Sequence, residues 1–133
     1  MSTSAGKAVY NILSNDAAVT AIVGTRIYPV IARQQDQEPY VVYSVVNDIP
    51  HDTKTGVSRV DFVRVQFNMV AADYSQLEDL SAAIRSALDR ATMQSYAGVE
   101  LAGVKFLSEN DGLFSDAPEL RLKIADYQLR IAL

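Results

Sequence analysis

Between Arg59 and Arg90 the hydrophobic pattern changes period once. Val63, Val65, Phe67 and Met69 alternate with Arg64, Gln66 and Asn68, the period of two shown by a half-buried strand. After Ala71 and Ala72, the apolar residues Leu77, Leu80, Ile84, Ala87 and Leu88 recur at helical spacing, with Glu78, Asp79, Arg85 and Asp89 between them. Ser75 followed by Glu78 fits a capping box, in which hydroxyl and carboxylate each accept a free backbone N–H at a helix start. The pattern predicts one strand running directly into one amphipathic helix over a shared core.

Ahead of this unit, Ala5, Ala8, Val9, Ile12 and Leu13 form a helical stripe, so the chain opens with a helix starting near Ser4. Asp16 is placed to cap a second, short helix through Val19, Ile22 and Val23, which Gly24 stops in a left-handed conformation. Arg26, Ile27, Tyr28 and Pro29 form a short extended piece, and Pro29 denies it a central place in a sheet. Gln34 to Glu38 reads as a polar surface loop. Tyr40 to Asn47 is a strand with apolar residues at nearly every position, a pattern that calls for cover on both faces. Asp48 to Ser58, with Pro50 and Gly56, reads as a long hairpin loop or an extended β-arm.

Beyond the helix, Val99, Leu101, Val104 and Phe106 predict a short hairpin pivoting at Ala102-Gly103, and Asp111-Gly112 is a turn signal. In the last strand, Leu120, Leu122 and Ile124 share one parity while Tyr127, Leu129, Ile131 and Leu133 share the other. Either a β-bulge near Ala125-Asp126 resets the register or the strand changes the face it buries; the bulge is the reading favoured here. The resulting expectation is a single α+β domain over residues 1–133. It has an antiparallel four-stranded sheet made of two hairpin-like strand pairs, a long amphipathic helix on one face and short N-terminal helices. Those short helices, or a neighbouring subunit, would cover the other face.

Size and composition fit this reading. A chain of 133 residues makes one domain, and 49% hydrophobic with 21% charged residues is an ordinary globular composition. The absence of cysteine excludes disulfides and thiolate metal sites. No stretch approaches a membrane span, and the N-terminus makes a poor signal peptide, so the expectation is a protein made and folded in the cytoplasm. A net charge of −4 argues against a dedicated nucleic-acid-binding surface, yet is compatible with a wall that nucleic acid slides past. Arg121 and Lys123 share a parity and read as a small basic edge that guards against strand pairing.

Catalytic chemistry is sparse. His51 is the only histidine and lies near Asp48 and Asp52, but no recognised metal-ligand spacing surrounds it, and loops collect such residues for solubility. No Gly-x-Ser-x-Gly elbow and no phosphate-cradling glycine loop is present. No cofactor is expected. The seven tyrosines suit a core or an interface.

The segment Val23-Gly24-Thr25-Arg26-Ile27-Tyr28-Pro29, followed by Glu38-Pro39-Tyr40-Val41-Val42-Tyr43-Ser44, resembles the small tail-completion or tail-terminator proteins of long-tailed bacteriophages. The resemblance extends through Asp16 to Ile22, through Val65-Gln66-Phe67 into the helix Tyr74 to Leu88, and to Gly98-Val99. It implies a structural, non-catalytic ring-former, usually a hexamer, that caps the finished tail tube, ends its polymerisation and provides the joint to the head. Its partners would be further copies of itself, the tail tube protein and a head-tail connector or stopper, with DNA passing through the lumen without specific binding and no membrane involved. Its place would be the virion tail, assembled in the host cytoplasm. From the residue pattern, the candidate contacts are Tyr40, Val42, Val60 and Phe62, on strand faces left without evident cover. Asp48, His51, Asp52 and Lys54, on the arm, complete the set. Two other readings stand beside this one: a head-completion or neck protein on the head side of the joint, and a small metal-dependent or hydrolytic enzyme using His51.

Overall fold

The computed structural model describes residues 5–29, 39–50, 60–89, 94–96, 98–113 and 120–132. Its elements run α1 (Ala5–Ser14), α2 (Ala17–Val23), β1 (Ile27–Pro29), β2 (Tyr40–Pro50), β3 (Val60–Ala71), α3 (Tyr74–Asp89), β4 (Gln94–Tyr96), β5 (Val99–Leu113) and β6 (Arg121–Ala132). The α+β class is as expected, but the sheet has six strands, in the order β1-β2-β3-β6-β5-β4. The two additional strands are short edge pieces. β1 pairs in parallel with Val41–Tyr43 of β2, and β4 pairs antiparallel with Val99–Leu101 of β5. Pro29, with no N–H to donate, lies in the edge strand β1 as its chemistry requires.

The helix boundaries follow local chemistry. Asp16 accepts hydrogen bonds from the backbone N–H groups of Ala18 and Val19, and Gly24 ends α2 with φ of 61°. At α3 the expected capping box is not formed. Asp73 caps this helix instead, accepting from Ser75 N at 3.0 Å, so that Ser75 lies inside the first turn and Glu78 is free for another partner.

Two other expectations are corrected in the second half of the sheet. Ala102-Gly103 and Asp111-Gly112 are not turns; both lie within the 15-residue β5. The chain reverses earlier, between β4 and β5, next to Gly98 with φ of 82°. The favoured bulge in β6 is also absent, since β6 pairs with β3 without a break from Val60↔Ala132 to Ala71↔Arg121. The irregularities are in β5, between Leu101 and Gly103 and between Phe106 and Ser108, and in β2, between Val45 and Asn47. The phase change in β6 is therefore a change of buried face. Ala125, Tyr127, Leu129 and Ile131 enter the core, whereas Leu122 and Ile124 are half-buried on the other side.

All three helices pack on one face of the sheet. Ala5, Ala8, Val9, Ile12 and Leu13 of α1, Val19 and Val23 of α2, and Leu77, Leu80, Ile84 and Leu88 of α3 form a single core with Val41, Tyr43, Val63, Val65, Phe67, Met69, Leu101, Tyr127 and Leu129. Its centre is aromatic: Tyr127 is edge-on to Phe67 at 5.5 Å and to Phe106 at 5.3 Å. The N-terminal helices thus extend the layer begun by α3 and leave the opposite face without a described helix.

Candidate assembly surfaces

Three surfaces around this frame carry features that core packing does not explain. The first is the sheet face opposite the helices. There Tyr40 and Phe62 are half-buried, Val42 and Val70 are buried outside the main core, and Gln66, Asn68, Leu122 and Ile124 are half-buried between them. Arg64 on β3 pairs diagonally with Asp126 on the neighbouring β6, Nη2 to Oδ2 at 2.6 Å, and Ser108 Oγ on the other side of β6 lies 3.3 Å from the same oxygen. The Asp126 side chain is only 7% exposed, yet its Oδ1 has no hydrogen-bond partner, so one lone-pair set is buried without compensation.

The second surface lies at the end of the helix layer where α3 begins. Lys123 is on the helix side of the central strand β6 with its side chain 7% exposed, which overturns its reading as an edge guard. Its Nζ is 2.9 Å from Glu78, 3.1 Å from Glu109 and 2.8 Å from Asp111. Tyr74 donates its hydroxyl to Asp111 at 3.0 Å and Ser81 donates to Glu109 at 2.9 Å. Burial alone would depress Lys123, but hydrogen bonds to Asp111, Glu78 and Glu109 outweigh it and raise its pKa above the ordinary value. The ammonium and the Tyr74 hydroxyl in turn hold Glu78 and Asp111 below the ordinary carboxylate range. With three carboxylates around one ammonium the cluster is net acidic, consistent with the balance of the whole chain.

The third surface comprises the two long sides of the sheet. β1 covers β2 only as far as Tyr43, and beyond it Val45 and Val46 are 43% and 52% exposed. β4 covers β5 only as far as Leu101, and beyond it Leu107 is 37% exposed. Near the β1 side, a cleft of about 420 Å³ opens between α1 and the sheet, lined by Lys7, Tyr10, Asn11, Pro29 and Tyr43. Burial, and secondarily the proximity of Tyr10, pushes the pKa of the Tyr43 hydroxyl up, which keeps it uncharged.

The contacts expected from sequence are distributed over these places. Tyr40, Val42 and Phe62 fall on the face away from the helices. Val60 begins β3 opposite Ala132, and Asp48 lies in the extended end of β2 opposite Val63. His51, Asp52 and Lys54 lie outside the described residues. Sequence reasoning missed the Lys123 cluster, the Arg64–Asp126 pair and Leu107. Only the second had a local signal, an acidic residue at the phase change in β6.

The model of one protein family, Tail completion protein gp17, matches residues 7–131. The chain belongs to that family. This tail completion protein is thereby a structural protein of the phage tail. Among solved structures it is similar to a chain from the virion of a native gene transfer agent particle. The TM-score is 0.81 at 23% identity, with 100% of each chain covered. At that identity the likeness shows a shared fold. No curated protein sequence matches it.

Proposed function

We propose that this tail completion protein ends tail-tube polymerisation by assembling on the last ring of the tube as a ring itself, of the sixfold order that the family resemblance implies. The opposite rim of the ring then docks the head connector or stopper, and DNA passes through the lumen without specific contacts. The observation that supports this most is the one-sided cover of the sheet. Three helices bury one face, while the other carries half-buried Tyr40, Phe62, Leu122 and Ile124 interspersed with polar side chains. Mixed apolar and polar surface of this kind is what a protein–protein contact presents. The reading uses no catalytic group and asks no acid–base or metal chemistry of His51, whose place in it is that of one contact among several.

Purified protein added to polymerising tail tube protein is expected to stop elongation, with mean tube length falling as more is added, as measured by electron microscopy. The His51→Ala variant is expected to act equally well. Tubes that lengthen regardless of the added protein contradict the capping role, and a His51→Ala variant that still assembles but no longer caps favours the enzyme reading.

A further inference from the structure

Resting on the ring reading, we propose that neighbouring copies join edge to edge, the β2 edge beyond Tyr43 of one copy pairing antiparallel with the β5 edge beyond Leu101 of the next. Among the described residues, Ser44–Pro50 has a strand partner only on the β3 side and Ala102–Leu113 only on the β6 side. Each segment therefore presents a row of backbone donors and acceptors that a further strand can satisfy.

The directions fit such a union. β2, β3, β6 and β5 alternate in direction, so β2 and β5 run oppositely. A rotation about an axis along the strands carries β5 of one copy beside β2 of another with that opposition intact. The contact uses two different edges and is therefore heterologous, the type that closes into rings.

The heights fit as well. Val45, Val65, Tyr127 and Phe106 form one row across the sheet, and Ser44, Gln66, Asp126 and Ser108 the next. The extra residue of the β2 irregularity is Val46, and that of the second β5 irregularity is Leu107. Both adjoin the Val45–Phe106 row, on opposite sides of the molecule and within about one residue rise, ~3.3 Å, of that row. Bulges commonly guard an edge and are accompanied there by charge or proline. Here each carries an exposed aliphatic side chain instead. The short strands are offset in a complementary way, with β1 occupying one edge at the level of Val41–Tyr43 and β4 occupying the other edge near Val99–Leu101. The middle of both edges is left open at the same height. A second copy of this chain supplies the matching edge.

The absence of cysteine allows a direct test. Val46→Cys is combined in turn with Lys105→Cys, Leu107→Cys and Asn110→Cys, three exposed β5 positions that span the possible stagger. Rings are assembled with tail tube protein under reducing conditions, checked by electron microscopy, and then oxidised. Opposed antiparallel residues have Cα atoms about 4.5–5.5 Å apart, within disulfide range. At least one combination is expected to give a covalent ladder ending in a closed ring, while each single-cysteine variant stays uncrosslinked. Intact rings that yield no ladder, or Val46→Cys alone forming dimers, overturn the edge-to-edge contact and leave the ring reading standing. If the unaltered protein with tube protein gives no rings by light scattering or microscopy, the ring reading falls and this contact falls with it. Should the double variants fold poorly, Val46→Glu and Leu107→Glu provide the second arm. Each is expected to retain the monomer's circular dichroism and lose ring formation, and rings that form as well as those of the unaltered protein overturn the contact.

Discussion

Replacing Phe67 by alanine is expected to cost about 3–5 kcal/mol of folding stability, a large part of what a domain of this size possesses. Phe67 is fully buried on the central strand β3, and its ring meets Tyr127 edge-on at 5.5 Å. Tyr127 continues the array to Phe106, over which the Arg85 guanidinium lies at 4.1 Å. Truncation opens a cavity where the sheet meets the helix layer, and the surrounding strands are too constrained to fill it. Urea unfolding should show a lower midpoint with an unchanged slope. A loss below about 1 kcal/mol would mean that the aromatic centre is not the keystone of the core.

The second large effect is expected from Lys123→Met, about 2 kcal/mol at neutral pH, because three carboxylates lose their common cation. Glu78 and Asp111 are about half exposed, which keeps the figure below that of a fully buried network. The effect has a definite pH dependence. The folded pKa values of Glu78 and Asp111 are lowered from 4.5 and 3.8, so the stability they contribute is present above those ordinary values and is lost as pH falls through the lowered ones. Lys123 is raised from 10.5, so its contribution is complete below that value and is lost only as pH rises through the raised one. The stability gap between the unaltered protein and Lys123→Met should therefore stay level from about pH 5 to pH 9 and narrow in acid. A gap that widens in acid would contradict the assignment.

The same lysine shows where sequence reading stopped. The period change at Ala71-Ala72, the Asp16 cap, the Gly24 stop and the edge position of Pro29 were all readable, because each depends on residues within a turn or two of chain. The cap of α3 was not. Asp73 and Ser75 are both good cap residues, and Glu78 is instead engaged by Lys123, 45 positions further on in the numbering. In β6, Lys123 occupies a helix-side position because the helix layer there ends in Tyr74 and Glu78, so the strand's hydrophobic phase shifts without any bulge.

The length of β5 was hidden by its glycines. A Cβ on Gly112 would come within 2.9 Å of Leu122 Cδ2, and one on Gly103 within 2.5 Å of Arg130 Nη2. Both glycines make room for side chains of the neighbouring strand rather than for a turn. No local rule distinguishes those two uses. The candidate surfaces were legible only in part, for the same reason. A strand apolar on both faces was visible in Tyr40 to Asn47, but the placing of Val46 and Leu107 next to one shared row, one just beyond it and one just before, depends on pairing across four strands.

Capping of the tail tube is tested most directly by electron microscopy of particles made without this protein. Overlong tails unattached to heads are the expected result, whereas unattached tails of normal length would favour the head-completion reading over capping. Particles with heads joined to tails of ordinary length would contradict it.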